Sequence, residues 1–118
     1  MFRHGALDLT LDTANPITRG FPSTLHFTDE SYWKLRGDPK AIHPLATGVE
    51  EGQPQPLLWT REQGPGRVFV SIPGHYTWTF DDPLFRVLLL RGMAWAAGEP
   101  VDRLQDLALP GARLKDGR

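Results

Sequence analysis

The chain has 118 residues, and 13 Lys and Arg side chains against 14 Asp and Glu leave a formal net charge of −1. This near-neutral balance gives no electrostatic footprint for a nucleic-acid partner or an anionic membrane surface. With no cysteine, the chain has no disulfide, no thiolate metal site and no cysteine nucleophile.

Hydropathy argues against a membrane helix and a secretory leader. Apolar runs such as Val87–Leu90 are far shorter than the roughly 18 residues that a transmembrane helix needs. Residues 1–5 contain no apolar stretch of the kind found in signal peptides. We therefore expect no membrane partner and favour a cytoplasmic location. Glycine and proline make up about 19% of the chain, against about 12% on average, which excludes a helical bundle.

The first third of the chain predicts one strand followed by turns. Residues Leu7–Leu11 alternate apolar and polar side chains, as a half-buried strand does. The segment Asn15–Pro22 is rich in turn residues, and Leu25–Phe27 favours a short extended piece. Thr28–Ser31 fits either the cap of a helical turn or an open turn, and the pattern does not decide between them.

The middle third predicts strands. Pro44 marks Ala41–Thr47 as an edge strand or a broken one, because proline cannot donate to a strand ladder. A polar loop over Gly48–Gln55 and a hairpin turn over Glu62–Gly66 separate the following strands. The elements expected to enter the sheet core are Trp59 in the strand Pro56–Thr60 and the strand Arg67–Ile72.

The last third predicts one long helix. An aromatic loop, Pro73–Phe80, precedes Asp82 as a candidate N-cap and Pro83 as the first helical residue. The helix should reach about Ala97, with Gly98 ending it. Because its residues are apolar most of the way round, we expect burial on more than one side. Residues 99–118 are predicted to form a polar tail that frays or docks elsewhere.

His75 is the first candidate functional residue. It follows Gly74 after the strongest strand and precedes the helix, and functional groups of open α/β sheets collect beyond strand ends. Histidine at that place suits acid–base chemistry or metal ligation. The alternative is a loop histidine that is bonded only to backbone.

A second candidate cluster pairs carboxylates with aromatic rings: Asp29 and Glu30 precede Tyr32 and Trp33. Carboxylates bind sugar hydroxyls or metals, and aromatic faces offer apolar contact area. The alternative is a helix cap with two core aromatics. The other histidines, His4, His26 and His43, lack the i, i+4 spacing of a helical zinc motif. Together with His75 and Asp29 they still leave a divalent metal as an open alternative. The sequence identifies no particular cofactor.

Several short motifs occur in an order that resembles the ThuA-like (trehalose utilisation) domains. Residues 15–22 resemble the family segment HPIT-x-GLP, and Asp29-Glu30-Ser31-Tyr32 resembles the motif DE-x-Y. The later motifs that follow the same order are 56–60, 64–69, Gly74-His75, 80–86 and 91–98. Together the motifs cover residues 1–98, which we predict to be the domain, with 99–118 as a tail.

The resemblance implies an α/β fold of the flavodoxin-like, class I glutamine amidotransferase-like type. Because family members are about twice this length, it implies the C-terminal portion, with a mixed sheet and one long helix. His75 matches the catalytic histidine of amidotransferases, whereas Asn15 stands where the family usually has histidine. The amidotransferase cysteine would lie in the other half, and ThuA-like domains generally lack a complete triad, so glutaminase activity is not expected.

The resemblance further implies action on a disaccharide or keto-sugar, as a hydrolase, lyase or isomerase. We predict His75 and Glu30 as catalytic residues. The predicted substrate-binding residues are Asp29, Tyr32, Trp33 and Tyr76. Two alternatives stay open: a non-catalytic module that binds carbohydrate or a partner domain, and an inactive fragment. The expected partners are a sugar and either a second copy of the chain or an N-terminal half packed against it.

Overall fold

A computed structural model of the protein describes residues 1–108. The strands are β1 (Phe2–Leu11), β2 (Thr24–Tyr32), β3 (His43–Glu50), β4 (Gln53–Gln63) and β5 (Gly66–Ser71). The helix α1 (Pro83–Ala96) follows, and short 3-10 helices span Pro39–Ala41, Thr77–Asp81 and Gln105–Ala108.

The five strands form one sheet in the order β2-β1-β3-β4-β5. Every pairing is antiparallel, so the prediction of a mixed sheet is wrong for the described residues. The reason lies in the connections, since Glu51-Gly52 and Gly64-Pro65 are tight turns, whereas parallel strands need crossovers of a dozen residues or more. The α/β class is confirmed at this coarse level, and the flavodoxin-like arrangement stays a prediction.

The sheet is curled so that its two edges approach each other. Five flat strands would hold the edges about 19 Å apart. Yet Gly74, whose N–H donates to Asp29 of β2 at 3.0 Å, comes only three positions after Ser71, which ends β5. Three residues span at most about 11 Å. The curl therefore carries the chain after β5 directly onto the outer edge of β2.

Three predicted features differ in the structure. Thr28–Ser31 is neither a cap nor a turn, because all of it pairs with β1. Of the two alternatives for the strand that contains Pro44, the edge is wrong, since β3 lies between β1 and β4. The broken strand is confirmed, because register shifts beside Pro44 accommodate the missing N–H. The expected loop Gly48–Gln55 shrinks to Glu51 and Gly52, both at positive φ, as in a type I′ turn.

Helix α1 packs on one face of the sheet. Buried leucines of β1, β3 and β4 meet Leu88 of α1 in a common core, and Phe27 of β2 contacts Phe85 at 5.6 Å between ring centroids. The prediction of burial on more than one side is confirmed, because Ala94, on another side of the helix, is also fully buried. The chain after α1 returns to it, and Arg91 Nε donates to Gln105 Oε1 at 2.8 Å.

The side chains of β4 and β5 alternate between the face of the sheet that packs against α1, the inner face, and the opposite, outer face. Phe69 lies over Gly92 of α1, whereas Val68, which was expected in the core, is 42% exposed. Trp59, which is half-buried, shares the outer face with Val68 and Val70. The outer face is therefore apolar without being covered by α1. No helix within residues 1–108 is long and apolar enough to cross a membrane.

We expect Asp82→Ala to destabilise the protein by about 1 kcal/mol, the usual cost of losing an N-cap. The Asp82 carboxylate accepts hydrogen bonds from the N–H groups of Leu84 (2.8 Å) and Phe85 (3.1 Å), which otherwise lack partners at the helix start. Chemical denaturation measures the difference. Asp81→Ala is the matched control, because the 77% exposed Asp81 does not cap α1; equal losses in both variants would contradict the capping role.

Candidate functional site

Asp29 is the buried centre of the candidate site. Its carboxylate has no solvent exposure, and it accepts hydrogen bonds from the backbone N–H of Glu30 (2.7 Å), Gly74 (3.0 Å) and His75 (3.1 Å). The Thr79 hydroxyl donates to the same carboxylate. A buried carboxylate surrounded by donors in this way holds the aromatic loop against the edge of β2.

The same donors keep Asp29 ionised. Burial alone works to raise the pKa of Asp29, but the hydrogen bonds from Thr79, Glu30, His75 and Gly74 outweigh it, so the pKa lies below its ordinary value of 3.8. The site therefore contains a fixed negative charge at neutral pH.

His75 is oriented by that charge. Its Nδ1 lies 3.1 Å from Asp29 Oδ1, and its ring stacks on Tyr32 with 4.9 Å between centroids. In the neutral ring, Nδ1 carries the proton that it donates to Asp29, which leaves the Nε2 lone pair free. The side chain is 35% exposed, so the oriented imidazole is accessible to solvent.

Glu30 forms the second carboxylate of the site. Its Oε2 lies 3.7 Å from His75 Nε2 and accepts a 2.6 Å hydrogen bond from the Tyr32 hydroxyl, while Oε1 accepts one from Tyr76 at 3.3 Å. The hydrogen bond to Glu30 and partial desolvation raise the pKa of Tyr32. Desolvation and the Glu30 charge raise that of Tyr76. Both hydroxyls therefore stay protonated and act as donors at neutral pH.

The position of His75 at the sheet edge explains how one ring meets two carboxylates. Successive side chains of a strand point to opposite faces, so Asp29 and Glu30 diverge along β2. The loop after β5 wraps the edge of β2, where the Trp78 indole N–H donates to the Thr28 carbonyl at 2.7 Å. His75 Nδ1 therefore lies 3.1 Å from Asp29 Oδ1, and His75 Nε2 lies 3.7 Å from Glu30 Oε2.

The structure brings together five of the six side chains that the sequence singled out: Asp29, Glu30, Tyr32, His75 and Tyr76. The sixth, Trp33, lies apart from them. It is buried, and its indole N–H donates to Glu51 Oε2 at 2.8 Å. The segment around Asn15 is also separate, and its Ile17 and Phe21 belong to the hydrophobic core.

Sequence reasoning missed two contributors to the site. Thr79 bonds to Asp29, and no local pattern marks a threonine four residues after a histidine as a partner for a distant carboxylate. His4 lies against Tyr76 edge-on at 5.2 Å, and its pairing opposite Glu30 follows only from the β1–β2 register. Within residues 1–108, no group of three or more His, Asp or Glu side chains has a geometry that would hold a metal ion.

A curled antiparallel sheet, one α-helix packed on it and an Asp–His pair at the edge of β2 give residues 1–108 an α/β architecture with a polar site at the sheet edge. Comparison with family models then places it: residues 3–96 match ThuA, described as trehalose utilisation, and the chain belongs to that family. The family is part of the class I glutamine amidotransferase-like superfamily. No curated protein and no solved structure matches the chain.

Proposed function

We propose that the protein acts on a disaccharide or keto-sugar of the trehalose type, with His75 as the group that moves a proton. The observation that carries the proposal is the His75–Asp29 pair, in which a buried anion orients an exposed imidazole. Membership of a family described as trehalose utilisation supplies the substrate class.

The chemistry follows from the orientation of the ring. With Nδ1 bonded to Asp29, Nε2 is available to accept a proton from a sugar hydroxyl or from a carbon next to a ketone. Asp29 stabilises the imidazolium that forms. The proton is then returned to the product, so His75 acts as base and acid in turn.

Glu30 and the two tyrosines supply binding and orientation. Their oxygens lie within one hydrogen-bonded group beside His75 Nε2. Carboxylate oxygens accept from sugar hydroxyls, and phenols both donate and accept. A sugar hydroxyl that displaces the Tyr32 hydroxyl from Glu30 would find an acceptor, the Glu30 carboxylate, next to a donor, the Tyr32 hydroxyl.

We expect His75→Ala to lower turnover of 3-keto-trehalose by about 100-fold to 10,000-fold, the range that one general acid–base group supplies. Product formation followed by NMR measures this. His26→Ala is the matched control, because His26 Nδ1 also bonds to an aspartate (Asp8, 2.8 Å) while its side chain is 73% exposed and outside the site. The control should keep wild-type turnover.

Two results would overturn the catalytic role. Equal turnover by the wild type and His75→Ala would remove His75 from the chemistry. Saturable quenching of tryptophan fluorescence by the sugar, with no turnover by the wild type, would instead support a non-catalytic carbohydrate-binding module.

A further inference from the structure

A groove on the outer face of the sheet lies apart from the His75 site. It encloses about 450 Å³, within the range of roughly 300–1,000 Å³ that small-molecule sites occupy. Its floor consists of Trp59, Arg61, Val68 and Val70 on β4 and β5, and its wall is the segment 33–42.

An ion pair between two residues with positive φ holds the wall in place. Lys34 (φ 59°) and Glu51 (φ 52°) are the non-glycine residues with positive φ among residues 1–108, and their side chains form an ion pair at 3.0 Å. Glu51 also accepts the Trp33 indole N–H at 2.8 Å. Strained backbone of this kind persists where the surroundings hold it and clusters at binding sites.

The floor and wall suit the flat face of a ring. Trp59 pairs with Val70, and Arg61 pairs with Val68, across the β4–β5 ladder, so four side chains of one face lie side by side. Ile42 and Pro56 add apolar surface. Aromatic and branched aliphatic groups in a concave site bury a planar ligand well.

The charge of the groove indicates which chemical group the ligand carries in addition to its ring. Lys34 forms an ion pair with Glu51. Asp38 also lines the groove, and its hydrogen bond from the backbone N–H of Lys40 at 2.9 Å does not neutralise its charge, so it is one carboxylate against two arginines. Arg36 and Arg61 form no ion pair within residues 1–108. Two guanidinium groups beside an apolar floor are complementary to a carboxylate, sulfonate or phosphate.

We propose that this groove is a ligand-binding site for a small organic anion, with an apolar ring on Trp59 and Val68 and its acidic group at Arg61 and Arg36. The site is independent of the proposed sugar chemistry, because it shares none of the residues around His75. Trp33, which directly follows β2, helps to form the wall of this groove.

The probe that tests the proposal is 8-anilinonaphthalene-1-sulfonate, compared with N-phenyl-1-naphthylamine, which has the same rings and no sulfonate. We expect the full chain to bind the sulfonate about tenfold more tightly than the neutral probe, as one charge-assisted contact allows. Probe fluorescence, with energy transfer from tryptophan, measures both affinities.

Variants separate the contributions of ring and charge. Arg61→Gln should remove the preference for the sulfonate, and Arg61→Lys should keep most of it. Val68→Glu, which replaces an apolar contact of the floor with a carboxylate beside Arg61, should abolish sulfonate binding. Trp59→Ala should weaken both probes, and the control Arg103→Gln, which changes an exposed arginine outside the groove, should change neither.

Three outcomes would overturn the proposal. Equal affinity for the two probes would remove the charge selection. Sulfonate binding that survives both Arg61→Gln and Val68→Glu, with circular dichroism showing folded variants, would place the probe elsewhere. A dimer in sedimentation velocity that Val68→Glu dissociates would assign the groove to a second copy of the chain.

Discussion

Asp29→Asn is expected to lower the free energy of unfolding by about 2–4 kcal/mol at neutral pH, the cost of disrupting several hydrogen bonds to a buried charge. The amide nitrogen of asparagine would face donors where the carboxylate accepts from Gly74 and Thr79. The loop that carries His75 would lose its anchor, so turnover should fall in the same variant. Urea denaturation and the turnover assay measure the two effects.

The loss should depend on pH in one direction. The folded-state pKa of Asp29 lies below its ordinary value of 3.8, so its ionised form contributes stability that is fully present above that value. The contribution is lost as the pH falls through the lower folded-state pKa. The difference between wild type and Asp29→Asn should therefore shrink as the solution becomes more acidic than 3.8, the ordinary pKa of the group.

Asp8→Asn is the matched control for this prediction. Asp8 also pairs with a histidine, His26, but its side chain is 68% exposed, and exposed ion pairs contribute at most about 1 kcal/mol. A loss in Asp29→Asn no larger than in Asp8→Asn would show that Asp29 does not anchor the loop.

Gly92→Ala is expected to destabilise the protein by about 1–3 kcal/mol, although alanine favours a helix over glycine by up to about 1 kcal/mol. A Cβ at Gly92 would lie 2.5–2.6 Å from three atoms of the Phe69 ring, closer than the Cβ contacts of real proteins. Overlap therefore outweighs helix propensity. Thermal or chemical denaturation gives the sign directly.

A double-mutant cycle identifies the cause. In a Phe69→Ala background the ring is absent, so Gly92→Ala should become stabilising by up to about 1 kcal/mol through helix propensity alone. Destabilisation of the same size in both backgrounds would mean that something other than Phe69 restricts the position.

The elements that the sequence predicted well are determined by residues within them or directly beside them. The helix α1 was found within a residue at each end because Asp82 caps it, Pro83 begins it and Gly98 follows it. The hairpin at Gly64 and the strand β5 also follow from turn chemistry and β-branched residues. In such segments propensity and tertiary structure agree.

The errors fall where distant contacts override local preference. Thr28–Ser31 has the composition of a helix cap, but pairing with β1 and the donors of the aromatic loop satisfy Asp29 in a strand. Pro44 indicates an edge strand or a broken one, and the contacts of β3 with β1 and β4 decide for a central strand whose register is broken beside the proline. No neighbouring residue in the sequence carries either signal.

The candidate site shows the same division. Chemistry and motif order singled out His75, Asp29, Glu30 and the tyrosines, because residue type alone limits which side chains move protons or bind hydroxyls. The curl of the sheet decided that these residues meet, since it brings the chain after β5 to the edge of β2, about 45 residues away in sequence. It also separated Trp33 from them.

Local pattern thus specified α1, β5 and the hairpin at Gly64, since each depends on neighbours within a few residues, and the order of motifs along the chain specified the family. Tertiary structure alone decided the pairing of β1 with β2 and β3, the buried anion at Asp29, the contact of Thr79 and the groove at Trp59. Each of these features depends on the face of the sheet to which a side chain points and on the distant residues that the fold brings to that face. A local sequence pattern does not contain this information.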